Sequence, residues 1–372
     1  LFMNIIPYRQ TVFHKICTLC IVSKKRLYFP AGCRALRHIA AGSFHILKGL
    51  GTPKEARLIM MKNDDFLPEG SYGALPSVRQ ALRSLEGLRR AQDEGRILES
   101  CAVRCTALHD LLFDFDFARG VMPRACCALG LAEGQVREIA VLSRVGKPTC
   151  FVVTDIDEQT DPPTVWLSRT VAQRRAQEEL LTSLVPGDII PATVTHLEPF
   201  GAFVDIGCGL PSLIGIENLS VSRIYHPSDR LSMGQRIRAL VQSVDPASGR
   251  IFLTHRELLG TWEENAALFS AGETVRGIVR SVEPYGMFIE LAPNLSGLAE
   301  NREGLTPGTP VSVYIKSILP QRMKIKLSII DVLPRETKPA PPRYFVSGRH
   351  IDRWVYTPPC CDRKYIATEF TV

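Results

Sequence analysis

The sequence predicts a mainly β protein built from tandem five-stranded barrels joined by short helices. Residues 194–204 reappear at residues 279–289, a constant offset of 85, so the chain contains an internal repeat. Within a copy, apolar and polar side chains alternate along residues 323–328, which is the period of a strand with one buried face. Turn signals such as 245–249 punctuate the short strands.

The repeat also fixes the extent of two barrels. Gly234 of one copy matches Gly308 of the next at an offset of 74, so the later copy has lost eleven residues from the stretch around 225–229. We therefore assign barrels to residues 187–256 and 272–330. Each is of the length expected for five short strands that close on themselves.

Helical segments are predicted before and between these copies. Ser168 can cap a linker helix over 170–186, which Pro186 and Gly187 end, and a second linker helix is expected over 257–271. Apolar residues at helical spacing also predict a helical segment over 62–94.

Residues 95–169 form a weaker first copy. It closes on Leu167 and Ser168, which match Leu327 and Ser328 of the last copy, but it has residues 108–112 where the other copies have an aromatic residue beside glycine. It carries eight basic and eleven acidic side chains over 94–169. We interpret it as a degenerate barrel of the same type, without a role in binding nucleic acid.

Charge is unevenly distributed along the 372 residues, whose formal net charge is +7. Residues 1–60 hold ten of the 45 basic residues and one of the 38 acidic residues, which leaves 35 basic and 37 acidic residues beyond. Any affinity of this near-neutral body for nucleic acid must therefore depend on local patches and stacking.

The basic leader, residues 1–61, allows three interpretations. Translation could start at Met60 or Met61, or the leader could be an organellar transit peptide or a nucleic-acid-binding arm. The eleven cysteines are irregularly spaced, which is typical of a reducing compartment, and we expect a cytoplasmic protein. No segment is long and apolar enough to span a membrane, and the CxxC of Cys17 and Cys20 lacks partners for a zinc site.

Two aromatic residues flank a glycine in both full copies. Phe200 and Phe203 lie three positions apart, so simple alternation would place them on opposite strand faces, and we expect a bulge at Gly201 to bring them together. Tyr285 and Phe288 repeat the pattern. Exposed rings on one barrel face can stack on successive bases, whereas the alternative is that they fill the core.

These blocks carry a family resemblance. Residues 199–205, Pro-Phe-Gly-Ala-Phe-Val-Asp, and residues 284–290, Pro-Tyr-Gly-Met-Phe-Ile-Glu, resemble the hallmark of the S1 family of RNA-binding domains. Residues 223–229 are similar to the repeats of the bacterial small-subunit ribosomal protein of that family, and the resemblance covers most of 95–330. It implies the OB-type barrel, single-stranded messenger RNA as a ligand and the small ribosomal subunit as a partner.

The resemblance also implies which side chains contact RNA. They are the two aromatic pairs and one basic residue per copy, namely Phe200, Phe203, Arg250, Tyr285, Phe288 and Lys324. The family's histidine is absent, because Gly215 and Glu300 stand in its place, and His226 is the candidate substitute.

Basic residues stand at equivalent positions in both copies. Arg250 and Lys324 are 74 residues apart, each just after a turn, where a cation can reach phosphate. Lys326 lies on the same strand face as Lys324 and joins the candidate patch. The alternative for each is a solvated surface charge.

The remaining patterns set the functional hypotheses. After a Pro-rich linker, the tail of the segment 331–372 has aromatic residues that favour a small strand pair packed on the barrels. We find no signature of an enzyme and none of a cofactor or metal site. The sequence therefore predicts a single-stranded RNA-binding protein of translation; the alternative is a regulator or an accessory subunit of an RNA-processing enzyme.

Overall fold

The computed structural model of the protein describes residues 66–334 and 339–371. The expectations for the basic leader and for Cys17 and Cys20 lie outside the described residues. Within the described ranges, no helix has the length and apolar character needed to cross a bilayer.

The first repeat is an open sheet preceded by two short helices. Its strand order is β1-β5-β6-β4-β3-β2. Its elements are α1 (Pro76–Ala81), α2 (Leu85–Asp93), β1 (Leu98–Cys101), β2 (Arg104–Cys105), β3 (Leu111–Asp114), β4 (Arg119–Met122), α3 (Ile139–Leu142), β5 (Pro148–Asp157) and β6 (Thr164–Ser168).

This sheet departs from the closed barrel expected for the first repeat. The first strand is split at Ala102 and Val103, so that its first half, β1, pairs with β5 and its second half, β2, pairs with β3. In the later repeats one continuous strand makes both pairings. Because of this interruption the sheet keeps the strand pairings of a five-stranded barrel but does not close.

The second repeat forms a closed barrel, here called the second barrel. Helix α4 (Arg169–Ser183) leads into it, with the Ser168 hydroxyl accepting from the Val171 N–H as its cap. The strand order is β10-β11-β9-β8-β7. The strands are β7 (Ile189–Glu198), β8 (Gly201–Asp205), β9 (Pro211–Gly215), β10 (Arg236–Asp245) and β11 (Arg250–Thr254).

The third repeat closes in the same way into the third barrel, in the order β12-β13-β14-β16-β15. Its strands are β12 (Thr274–Glu283), β13 (Gly286–Ala292), β14 (Leu295–Ala299), β15 (Pro310–Leu319) and β16 (Lys324–Val332). The equivalent strands of both barrels share the same antiparallel neighbours and one parallel pairing, β9 with β11 and β14 with β16. The repeat in the sequence is thus a repeat of topology.

The linker between the barrels contains a shorter helix than the continuous helix over 257–271 expected from the sequence. A 3-10 turn over Arg256–Leu259 ends at Gly260, whose φ of +85° interrupts any helix. Helix α5 (Trp262–Ala266) then starts at Thr261, whose hydroxyl and the Glu264 carboxylate complete a capping box.

A buried charge cluster joins the two barrels. Arg230, in the loop that the third repeat lacks, donates from Nη1 to Oε1 of Glu290 over 2.8 Å. Arg280 donates from Nε to the other oxygen of the same carboxylate over 2.8 Å and pairs with Asp229 at 3.1 Å. The loop around 225–229 therefore contributes to the junction with the following barrel.

The C-terminal tail packs back on both barrels. Strands β17 (Arg353–Val355) and β18 (Ala367–Glu369) pair with each other. Trp354 and Tyr356 belong to the core cluster of the third barrel. Tyr344, earlier in the tail, accepts from the Arg238 N–H of the second barrel over 2.9 Å. The tail is therefore an integral part of the folded body.

Candidate nucleic-acid interface

Each closed barrel presents a pair of aromatic rings in edge-to-face contact. The ring centroids of Phe200 and Phe203 are 5.9 Å apart with an interplanar angle of 88°. Those of Tyr285 and Phe288 are 6.3 Å apart with an angle of 90°. Phe200 is 55% exposed and Tyr285 is 69% exposed, while Phe203 and Phe288 are half-buried. In each pair the half-buried ring, Phe203 or Phe288, therefore packs against an exposed ring, Phe200 or Tyr285, whose face is open to solvent.

The backbone brings each pair together without the expected bulge at the glycine. Phe200 lies in the turn before β8, so strand alternation does not apply to it. The register shift occurs on the partner strand, between Val194 and His196. Gly201 is needed for space, because a Cβ there would lie 2.5 Å from the Ile214 carbonyl oxygen of β9. The sequence-based explanation was therefore wrong about the bulge, although the rings do meet.

The third barrel repeats this arrangement. Its register shift lies between Val279 and Ser281 of β12, at the equivalent place. A Cβ on Gly286 would lie 2.6 Å from the Ala299 carbonyl oxygen. The glycine between the two rings thus serves a close strand approach in both barrels.

The half-buried ring of each pair starts a row of side chains that crosses the outer face of its barrel. In the second barrel, Phe203 faces Leu213, Leu213 faces Phe252, and Phe252 faces Ser243. Directly opposed residues point to the same face of a sheet, and their chain neighbours Val204, Ile214 and Leu253 are buried inside. In the third barrel the corresponding row is Phe288, Leu298, Lys326 and Ser317.

The predicted cations lie beside these rows. Arg250, Lys324 and Lys326 are all exposed, and Arg250 shares an outer strand face with Phe252. Arg250 is paired in register with Asp245. Hydrogen bonds from the Ser248 hydroxyl and N–H, together with the charge of Arg250, hold the pKa of Asp245 below its usual value. The carboxylate is therefore held in its ionised form beside Arg250.

His226 occupies a different place from these strands. It lies in the loop between β9 and β10, where its Nδ1 accepts from the Ser228 N–H over 3.1 Å at the start of a 3-10 turn. His226 therefore caps a turn within its own loop. Among the ring contacts of the described residues, none joins His226 to either aromatic pair. At the family's histidine position, Glu300 is exposed and pairs with Lys316 at 3.3 Å.

Phe252 was missed from the sequence, although it is 42% exposed and lies in the same row as Phe203. Its equivalent in the third barrel, 74 residues later, is Lys326. Comparison of the copies by identity therefore discards it, whereas a search for exposed side chains at equivalent strand positions would have retained it.

The first repeat lacks the aromatic pair at the equivalent strand positions. Leu112 takes the place of Phe203, since it faces Val121, which in turn faces Trp166. Trp166 occupies the position of Phe252 and is 38% exposed. In the part of the chain that the structure describes, no three His, Cys, Asp or Glu side chains are grouped to hold a metal ion.

Two closed five-stranded barrels, each with an outward aromatic pair and neighbouring cations, define a tandem OB-type protein of the nucleic-acid-binding class. The model of the S1 RNA binding domain matches residues 184–256, the second barrel and its approach. The small ribosomal subunit protein bS1 of Staphylococcus aureus strain COL is 32% identical over 302 residues, covering 77% of this chain and 74% of that protein. The chain belongs to the bS1 family.

A second sequence relative carries the same protein name. The bS1 protein of Staphylococcus saprophyticus is 33% identical over 200 residues, and the chain spans 50% of that protein's length. Among solved structures, a chain of the a/eIF2alpha-aDim2p-rRNA complex from Pyrococcus horikoshii is 28% identical over 22% of this chain and 50% of that chain, with a TM-score of 0.20. The family assignment depends on the sequence relatives alone.

Proposed function

We propose that the protein binds single-stranded RNA through the second and third barrels. The observation that carries this proposal is the exposed ring held edge to face by a second ring in both barrels. Bases stack on such rings with a gain of about 1 to 3 kcal/mol each, whatever their sequence. The contacts we assign are Phe200, Phe203, Arg250, Tyr285, Phe288, Lys324 and Lys326, with His226 at the margin.

The cations supply the second part of the interaction. Arg250, Lys324 and Lys326 stand on the outer faces of β11 and β16, where they can reach phosphates of a strand whose bases lie on the rings. Three cations on two barrels imply a modest electrostatic contribution and a shallow dependence of affinity on salt.

The setting we propose is translation in the cytoplasm. The relatives are named as proteins of the small ribosomal subunit. By that relationship, this chain would act on the small subunit as a ribonucleoprotein component that holds unstructured messenger RNA. The first repeat, which lacks the aromatic pair, would dock protein or support the array.

A binding titration tests the RNA proposal. The full chain is titrated with a labelled, unstructured single-stranded RNA and, separately, with a perfect RNA duplex of equal length. We expect the single strand to bind more tightly, because paired bases cannot open onto the rings. Equal affinity for both would contradict stacking as the mode of recognition.

Two further assays test the setting. The chain should sediment with small ribosomal subunits and leave them at raised salt, and failure to sediment would argue for a regulator away from the ribosome. We also propose that the chain has no catalytic activity. Turnover of a labelled oligonucleotide by the purified protein would contradict this and would favour a role in RNA processing.

A further inference from the structure

We propose that Phe252 is an additional base-stacking residue and that the second and third barrels differ at this position in how they hold RNA. In the second barrel the position carries a ring, and in the third it carries Lys326. This inference rests on the proposed RNA-binding function and deepens it. It concerns a residue outside the aromatic pairs that define the site.

The register of the strands places Phe252 on the same surface as the proposed aromatic pair. Phe203 faces Leu213 across β8 and β9, and Leu213 faces Phe252 across β9 and β11. Two strand spacings separate the two rings, on the order of 10 Å, so they can serve different bases. A single OB barrel commonly covers about four or more nucleotides, so it has room for more than one stacking position.

The exposure of Phe252 is not explained by packing. Its neighbours along β11, Ile251 and Leu253, point into the core and are buried, while Phe252 is 42% exposed on the outer face. An outward Phe between Arg250 and the half-buried Leu213 offers an apolar face beside a cation. This combination suits a nucleotide whose base lies on the ring and whose phosphate approaches the guanidinium.

The third barrel replaces this ring by a second cation. Lys326 faces Leu298, just as Phe252 faces Leu213, and Lys324 stands two residues before it on the same strand face. The second barrel therefore presents three rings and one cation, and the third presents two rings and two cations. RNA binding by the second barrel should therefore depend more on stacking, and RNA binding by the third barrel should depend more on charge.

The test uses the full chain and a labelled single-stranded RNA of unstructured sequence. Phe252→Ala and Phe252→Leu should each weaken binding roughly 5- to 150-fold, and Phe252→Tyr should bind like the wild type. The Leu variant keeps an apolar side chain, so it distinguishes loss of the ring from loss of fold, which the thermal unfolding midpoint also reports. A loss below twofold in both the Ala and Leu variants would overturn the proposal.

Trp166→Ala is the matched control, because Trp166 occupies the same strand position in a sheet without the aromatic pair. We expect it to bind within twofold of the wild type. A loss of RNA affinity equal to that of Phe252→Ala would contradict the proposal. It would show that an exposed ring at this strand position contributes to binding without an aromatic pair beside it.

Exchanging Phe252 and Lys326 tests whether the second barrel depends more on stacking and the third more on charge. Phe252→Lys should make the slope of log affinity against log salt steeper by about 0.7, and Lys326→Phe should make it shallower by about 0.7. Unchanged slopes would contradict the division. If Phe200→Ala weakens binding while every Phe252 variant binds normally, only this inference fails; if the wild type does not bind single-stranded RNA, the proposed function fails.

Discussion

Arg230 of the second barrel and Glu290 of the third form a two-bond ion pair in which each side chain is only 6% exposed. Burial lowers the pKa of Arg230, and the Glu290 carboxylate opposes that effect by favouring the charged form. Arg280 shares the same carboxylate. The two cations of the junction therefore share one buried carboxylate, and Asp229 is a second partner of Arg280.

Glu290→Ala should destabilise the protein by about 3 to 5 kcal/mol, because it leaves two buried guanidinium groups without their shared carboxylate. The free energy of unfolding, measured in urea, reports the loss. The control is Lys316→Ala, which removes an exposed ion pair with Glu300 and should cost less than about 1 kcal/mol. A cost for Glu290→Ala as small as that of the control would show that the junction does not depend on this carboxylate.

Acid should weaken the packing of the tail through His255. Burial lowers the pKa of this histidine to about 4, whereas the unfolded value is about 6.5. Its Nδ1 lies 3.2 Å from the Leu219 carbonyl oxygen and its Nε2 lies 3.3 Å from the Tyr344 hydroxyl, so the neutral ring donates to the first and accepts from the second.

Because the folded protein binds fewer protons than the unfolded chain between these two pKa values, the stabilisation by neutral His255 is complete above pH 6.5 and is lost as pH falls towards 4. His255→Gln cannot titrate. The fall in unfolding midpoint between pH 7 and pH 4.5 should therefore be smaller in the variant than in the wild type. An identical fall in both proteins would exclude His255 as the titrating group.

The exposed ring of each pair should contribute to RNA affinity without contributing to the core. Phe200→Ala and Tyr285→Ala should each weaken binding to single-stranded RNA by about 1 to 3 kcal/mol and leave the unfolding midpoint nearly unchanged. Tyr365→Ala is the control, since this ring is 66% exposed but lies in the C-terminal tail. If either barrel variant unfolds, or binds as tightly as the control, the stacking role of that ring is wrong.

Trp354 should be required for the stability of the third barrel. It is 5% exposed within the core cluster of that barrel, and its ring centroid lies 5.5 Å from that of Tyr356. Trp354→Ala should cost about 3 to 5 kcal/mol of unfolding free energy, and Tyr365→Ala should change it by less than about 0.5 kcal/mol. A small effect of Trp354→Ala would mean that the barrel folds without its tail.

The sequence predicted the repeated barrels and their aromatic pairs because both depend on local patterns that recur at a fixed offset. The pairing of Arg230 with Glu290 could not be predicted in this way, since the two residues are 60 positions apart and only one repeat carries the loop. The bulge was assigned to Gly201 because a glycine permits one, whereas the structure uses that glycine for the approach of β9.

The open first sheet also escaped prediction. Strands β3 and β4 alternate between buried and more exposed residues as expected. Closure is lost through an interruption at two residues, Ala102 and Val103, that no composition or periodicity marks. Phe252 was missed because its equivalent in the third barrel is Lys326, so that a comparison of the copies by identity discards it. Its place in the row with Phe203 is fixed only by the register across β9.

Photo-cross-linking of a bound, unstructured single-stranded RNA to the full chain, followed by identification of the modified peptides, tests the placement of the interface most directly. We expect cross-links on peptides that contain Phe200 and Phe203 and on those that contain Tyr285 and Phe288. Cross-links confined to residues 1–60 or to the first repeat, with the second and third barrels unmodified, would contradict it.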